Sequence, residues 1–174
     1  MSAMRQIRSK RKWVAKVVEM YERPLVAYAR AKIGDVERAR EVVQATFLKL
    51  WQADRARVED HLAQWLYTVC RNGVIDLVRK ERRMTPTDTS RLAELEHQGT
   101  SPGEAAERKQ AIGKVLQAVE TLPDKQKEVL RLRFQAGFSY REISEITGNS
   151  QSNVGFLIHT AIRSLRGELA TASE

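Results

Sequence analysis

The chain has 174 residues, with 30 Lys and Arg against 22 Asp and Glu, a net charge of +8 and one cysteine. That length allows one medium domain or two small ones. No apolar run approaches the ~20 residues that span a bilayer and no hydrophobic signal core follows the N-terminus, so a cytoplasmic protein without membrane insertion is expected. The lone Cys70 excludes an internal disulfide, and the cationic balance favours a polyanionic partner, nucleic acid or an anionic membrane.

In chain order, the first segment is basic: Arg5, Arg8, Lys10, Arg11 and Lys12 come with no acid, in a tail expected to be disordered or an extra DNA contact. From Lys12 to Ile33 apolar residues recur at helical spacing as Trp13, Val17, Met20, Leu25, Tyr28 and Ala29, with Pro24 predicting a break or a helix start. Gly34-Asp35 reads as a stop followed by an N-cap. A helix is predicted over Val36 to Gln52, its inward stripe Val36, Ala39, Val43, Phe47 and Leu50, its other face Glu37, Arg40, Glu41, Gln44 and Lys49. Asp54 to Asp60 is polar and breaks the pattern. Asp60 is predicted to cap a long helix from His61 to about Arg83, with Leu62, Leu66, Val69, Gly73 and Leu77 on one side. Asn72, Asp76, Arg79 and Arg83 form a polar stripe on the other.

Thr85 to Gly103 contains Pro86, Pro102, Gly99 and Gly103, and the stretch to Glu107 carries Asp88, Glu94, Glu96, Glu104 and Glu107 against only Arg91. This reads as an acidic linker, with a short helical piece around Leu92 to Glu96. Helix resumes near Glu104 and runs to Glu120, with Ile112, Val115, Leu116 and Val119 predicted inward. Thr121-Leu122-Pro123-Asp124 ends one helix and starts another. Ser139 opens a short amphipathic helix with Ile143 and Ile146 inward, and Gly148 stands where it must stop sharply. Ser150 then caps a last helix, whose apolar stripe is Val154, Leu157, Ala161 and Leu165. Two helices joined by a tight glycine turn can lay the second in a DNA major groove; an ordinary antiparallel helix pair is the bland alternative.

The alternating apolar pattern of strands is absent, so the expected fold is all-α: two small helical bundles joined by a flexible linker, the C-terminal one containing a helix-turn-helix. The expected domains are 12–84 and 106–170, with 85–105 between them. His61, His97 and His159 show no metal-ligand spacing, and no phosphate-binding glycine loop, HExxH or GxSxG occurs. No metal, no cofactor and no enzyme activity are expected. Cys70 lies within an apolar stripe and reads as a buried, inert thiol.

These segments resemble a bacterial sigma factor of the sigma-70 family, in its extracytoplasmic-function (ECF) type. DVERAREVVQATFLKLW (35–51) is similar to the family's polymerase-binding segment. WLYTVCRNGVIDLVRKERR (65–83) is similar to its melting and minus-ten-reading helix. LPDKQKEVLRLRF with SYREISEITG (122–148) is similar to the start of its minus-thirty-five-binding domain. The resemblance implies core RNA polymerase and promoter DNA as partners, an anti-sigma factor as regulator, and no catalysis. A stand-alone helix-turn-helix regulator, with a dimerisation or sensor domain at its N-terminus, is the alternative.

Residue by residue, the resemblance makes Glu41, Gln44, Leu48 and Trp51 candidate polymerase contacts, with core packing the other reading for Leu48 and Trp51. It makes Arg71, Asn72, Asp76, Arg79, Lys80, Arg82 and Arg83 the candidates for minus-ten recognition and melting, and Asp54 to Asp60 part of a pocket for a flipped base. Trp65 is expected in the core. In the recognition helix the face Ser152, Phe156, His159 and Arg163, with Gln151 and Asn153 near its start, would meet bases, or else a protein through the small apolar surface of Phe156 beside Gly155. Two departures stand out. Ala45 occupies a position usually acidic, and Gly155, Leu157 and Thr160 replace three family cations. Phosphate anchoring is therefore expected to shift to Lys125, Lys127, Arg131, Arg133 and Arg141.

Overall fold

The computed structural model describes residues 2–84 and 104–171, and among them all regular structure is helical. The chain divides into two units, Met1–Glu94 and Leu95–Glu174. The expected linker at 85–105 lies outside the described residues except at 104 and 105, which open a helix.

The first unit is a bundle of three long helices: α1 (Ser2–Ile33), α2 (Val36–Gln52) and α4 (Leu62–Met84), with the single-turn α3 (Arg55–Val58) and a 3-10 turn (Glu59–His61) joining the last two. Contrary to expectation, α1 is unbroken at Pro24 and already helical through the basic tail. Pro24 is exposed, as is Met20, whose carbonyl loses its helical donor there, so water can take that donor's place. Gly34, at φ 81°, ends α1, and Asp35 caps α2 by accepting from the Arg38 N–H at 2.9 Å.

The core is built from Val17, Leu25, Tyr28 and Ala29 of α1, Ala39, Val42, Val43 and Leu50 of α2, and Leu66, Tyr67, Cys70 and Val74 of α4. Tyr28 and Tyr67 meet edge to face, with ring centroids 5.2 Å apart. Several inward expectations are corrected. Met20 is 65% exposed and Val36 36%, while Val42 and the polar Thr46 are buried. Thr46 is accommodated because its hydroxyl donates to the Val42 carbonyl at 2.9 Å. On α4 the deepest residues are Tyr67, Cys70 and Val74 beside Leu66, whereas Leu62, Val69, Gly73 and Leu77 are half-buried. The reason is that α4 packs on both α1 and α2, so its buried arc is wider than one stripe. Asp60 sits inside the 3-10 turn rather than ahead of the helix, and residues 55–60 are helical, with Asp54 capping α3 and Val58 buried.

The second unit contains α5 (Glu104–Thr121), α6 (Asp124–Leu130), a π-helical turn (Arg131–Gln135), α7 (Tyr140–Thr147) and α8 (Gln151–Thr171). Its core holds Ala118, Leu122, Val129, Leu132, Phe138, Ile143, Ile146, Val154, Ile158 and Ala161. Ile112 and Val115, expected inward, are 49% and 40% exposed, and Leu116 and Val119 are half-buried. Ala118, near the end of α5, and Leu122 just after it are the deeply buried residues here. On α8 the fully buried line is Val154, Ile158 and Ala161, with Leu157 and Leu165 half-buried at its margin.

Candidate nucleic-acid and protein interfaces

On α2, Glu41, Gln44, Leu48 and Trp51 follow one another at three- and four-residue spacing and share the face opposite the buried line. All are exposed, Leu48 at 64% and Trp51 at 40%, so the core-packing alternative for these two does not hold. The basic start of α1 reaches the end of this face. Lys10 Nζ donates to the Ala53 carbonyl at 2.9 Å and lies 5.9 Å from the Trp51 ring, and Arg55 lies 5.2 Å over Trp13.

Along α4, Asn72, Asp76, Arg79 and Arg83 form one exposed line, flanked by exposed Lys80 and Arg82. Arg71 is apart from this group: it is half-buried and already has a partner within the protein. Trp65 is half-buried. Between α2 and α4 runs a shallow cleft of about 300 Å³, lined by Glu41, Ala45, Val69, Asp76, Leu77 and Lys80 among others. Arg38 of α2 and Glu81 of α4 form an ion pair beyond it. Sequence reasoning missed this cleft, because local spacing says nothing of where two helices cross.

The helix-turn-helix is built by local chemistry. Ser139 Oγ accepts from the Glu142 N–H at 3.2 Å while the Glu142 carboxylate accepts from the Ser139 N–H at 2.8 Å, a complete capping box. Gly148, at φ 75°, ends α7. The Ser144 hydroxyl donates to the Asn149 carbonyl at 2.6 Å, and Ser150 Oγ accepts from the Asn153 N–H at 3.2 Å. These bonds present Gln151, Ser152, Asn153, Phe156, His159 and Arg163 on the exposed face of α8, as expected. Asn153 is partly engaged, its amide donating to Asn149 Oδ1 at 3.0 Å.

The expected phosphate anchors divide. Lys127 and Arg131 have side chains only 14% and 16% exposed, and both meet Glu120, at 3.1 and 3.8 Å. They tie α6 and the π-turn to α5 rather than facing outward. Lys125 is exposed, Arg141 is exposed and paired with Glu145 at 3.2 Å, and Arg133 donates to the Phe138 carbonyl at 3.0 Å while lying 5.5 Å from the Tyr140 ring.

Cys70 is fully buried, and burial pushes its thiol up to about 12, so it is not a nucleophile near neutral pH. Among the described residues no group of His, Cys, Asp and Glu is arranged to hold a metal, and no helix is long and apolar enough to cross a membrane.

Residues 17–84 match the family model for sigma-70 region 2, and residues 112–165 that for sigma-70 region 4. The ECF RNA polymerase sigma factor SigD of Mycobacterium tuberculosis is 30% identical over 166 residues, covering 91% of this chain and 77% of that protein. SigM of Bacillus subtilis, also an ECF sigma factor, is 23% identical over 154 residues, covering 88% of this chain and 93% of SigM. Among solved structures, the sigma factor RpoE in complex with the anti-sigma factor NepR from Bartonella quintana shares the fold at TM-score 0.68 and 22% identity, over 90% of this chain and 96% of that one. CnrH, in complex with the cytosolic domain of CnrY, does so at TM-score 0.63 and 22% identity, over 97% of this chain and 95% of CnrH. The region 2 match accounts for the N-terminal half, which a stand-alone regulator has no reason to carry. The chain belongs to the sigma-70 family and is an RNA polymerase sigma factor of the ECF type.

Proposed function

We propose that this sigma factor divides its work between separate exposed faces of its first unit and the recognition helix of its second. Glu41, Gln44, Leu48 and Trp51 on α2 dock on core RNA polymerase. Asn72, Asp76, Arg79, Lys80, Arg82 and Arg83 on α4 hold the unstacked strand of the minus-ten element, while α8 reads the minus-thirty-five element through Gln151, Ser152, Asn153, Phe156, His159 and Arg163, with Arg141 on the flanking phosphates. Arg71 belongs beside the α4 group as a support, given its burial.

The observation that carries this reading is the exposure of Leu48 and Trp51 on one helix and of a polar, cationic line on another. Large apolar side chains at the surface suit a protein partner, which removes them from water. An amide among cations suits single-stranded nucleic acid, binding of which shifts the duplex toward its open form. The region 2 function is assigned to residues 12–84, the region 4 function to 106–170, and the acidic connector to 85–105. The protein works in the cytoplasm, where an anti-sigma factor restrains it, as the complexes of RpoE with NepR and CnrH with CnrY suggest.

Transcription from a promoter library by purified core polymerase, with and without the protein, tests the reading. New sequence-specific starts that require the protein are expected. Stable duplex binding by the protein alone, with no initiation, would contradict it.

A further inference from the structure

The region 2 match begins at residue 17, and α1 runs unbroken from Ser2, so its first turns lie ahead of that match. Arg5, Arg8, Lys12 and Lys16 recur along it at spacings of three, four and four, which puts them in one line on the helix surface. All are exposed, and none takes part in an ion pair with another described residue. The other side of the extension is fastened to the bundle: Lys10 to the Ala53 carbonyl, Trp13 under Arg55, and Val17 buried. The cationic line therefore points away from the body, on a helix held in place.

The charges of the line do not themselves favour a helix here. Cations in the first turns oppose the helix dipole, no acid offsets them in the first turn, and like charges four residues apart repel. No described residue pairs with the line, and its charge suits a polyanionic partner.

We propose that this extension is a phosphate-binding arm, a further contact of the sigma factor with the DNA backbone that reads no bases. The line from Arg5 to Lys16 is about 16 Å long, and one strand of a duplex presents a phosphate about every 3.4 Å along the axis, so each cation can reach its own phosphate. An anionic membrane fits less well. An interfacial helix needs a broad apolar face, and here Trp13 and Val17 are turned to the body, leaving Met4 and Ile7 exposed. The proposal rests on the sigma-factor function of the chain.

The test uses full-length protein assembled with core polymerase. Arg5, Arg8, Lys12 and Lys16 are replaced by Gln in one variant; in a second, Arg5→Lys and Arg8→Lys keep the charge. Promoter-complex formation is followed against salt. The Gln variant should lower the slope of log K against log salt by about 2 to 4, at roughly 0.9 per lost phosphate contact, with unchanged core polymerase affinity and helicity, while the Lys variant keeps the wild-type slope. An unchanged slope in the Gln variant overturns the arm. So does a loss of binding to vesicles of anionic phospholipid without loss on DNA, which would make it a membrane contact. Failure of the wild-type protein to initiate at all would instead overturn the function beneath the proposal.

Discussion

The ring of Tyr140 lies against Gly155: a Cβ at that glycine would sit 3.5 Å from Tyr140 Cε2, an ordinary contact. Arg133 lies over the same ring at 5.5 Å. Where the family usually carries a lysine at the start of the recognition helix, this chain packs an aromatic ring and brings a guanidinium from the preceding helical segment.

This predicts an asymmetric response at position 155. Gly155→Ala should stabilise the second unit by roughly 0.5–1 kcal/mol, through helix propensity, and leave promoter selectivity unchanged. Gly155→Lys should displace Tyr140 and steepen the salt dependence of minus-thirty-five duplex binding by about one. Thermal melts and fluorescence anisotropy against salt measure both. An unchanged salt slope for the lysine variant would mean that position 155 does not face DNA.

Two other glycines should behave in opposite ways. A Cβ at Gly73 would meet Val42 Cγ1 at 3.0 Å, where α4 crosses α2, whereas nothing lies within 4 Å of one at Gly113. Gly73→Val should destabilise the first unit by about 1–3 kcal/mol through overpacking against a stiff, buried neighbour. Gly113→Ala should stabilise α5 by about 0.5–1 kcal/mol. Denaturant midpoints of the full-length variants decide; equal effects at both sites would refute the close approach at Gly73.

Alkaline stability should be controlled by buried groups of the first bundle. Burial pushes the Cys70 thiol from an ordinary 9.0 up to about 12, and burial, with Cys70 and Tyr21 nearby, raises Tyr67 from 10.0 to about 12. In the folded state both keep their protons at a pH where the unfolded chain releases them. Stability is therefore fully present below about pH 9 and falls as pH rises toward 12, by about 1.4 kcal/mol for each unit of pKa difference. Melts between pH 7 and 11 should show that loss, and Cys70→Ala should flatten it while costing stability at neutral pH. A loss of the same steepness in Cys70→Ala would remove the thiol from the account.

The cations of α6 and its π-turn should separate into supports and DNA contacts. Removing Lys127 or Arg131 leaves Glu120 without a neighbour it now holds, so Lys127→Ala or Arg131→Ala should cost about 1 kcal/mol of stability. Neither should change the salt slope of duplex binding. Lys125→Ala should do the reverse, lowering that slope by about one with little change in melting. The two readouts together identify which cations meet phosphate.

Much of this was legible in the residues, and the failures share a cause. Helix-scale signals hold where the chemistry is local: Gly34 and Asp35, the Ser139–Glu142 box, Gly148 and Ser150 all act within a few residues of themselves. The exposed faces Glu41 to Trp51 and Asn72 to Arg83 also follow from spacing, because each lies opposite a buried line. What spacing does not convey is how many neighbours a helix has. Two neighbours widened the buried arc of α4, shallow packing left Ile112 and Val115 exposed, and Thr46 is buried with its hydroxyl satisfied by its own helix. Lys127 and Arg131 read as outward cations because their partner, Glu120, lies on another helix. Pro24 read as a break because sequence does not reveal that its side of α1 faces water.

The division of labour between α2 and α4 is tested most directly by two variants measured side by side, one Leu48→Ala with Trp51→Ala, the other Asn72→Ala. Core polymerase affinity and promoter opening are measured for each, with circular dichroism as the control for folding. The α2 variant should lose polymerase affinity by about tenfold or more. The Asn72 variant should bind polymerase as the wild type does and form fewer open complexes. Equal loss of polymerase binding and opening in the Asn72 variant, with the fold intact, would contradict the assignment, as would full polymerase affinity in the α2 variant.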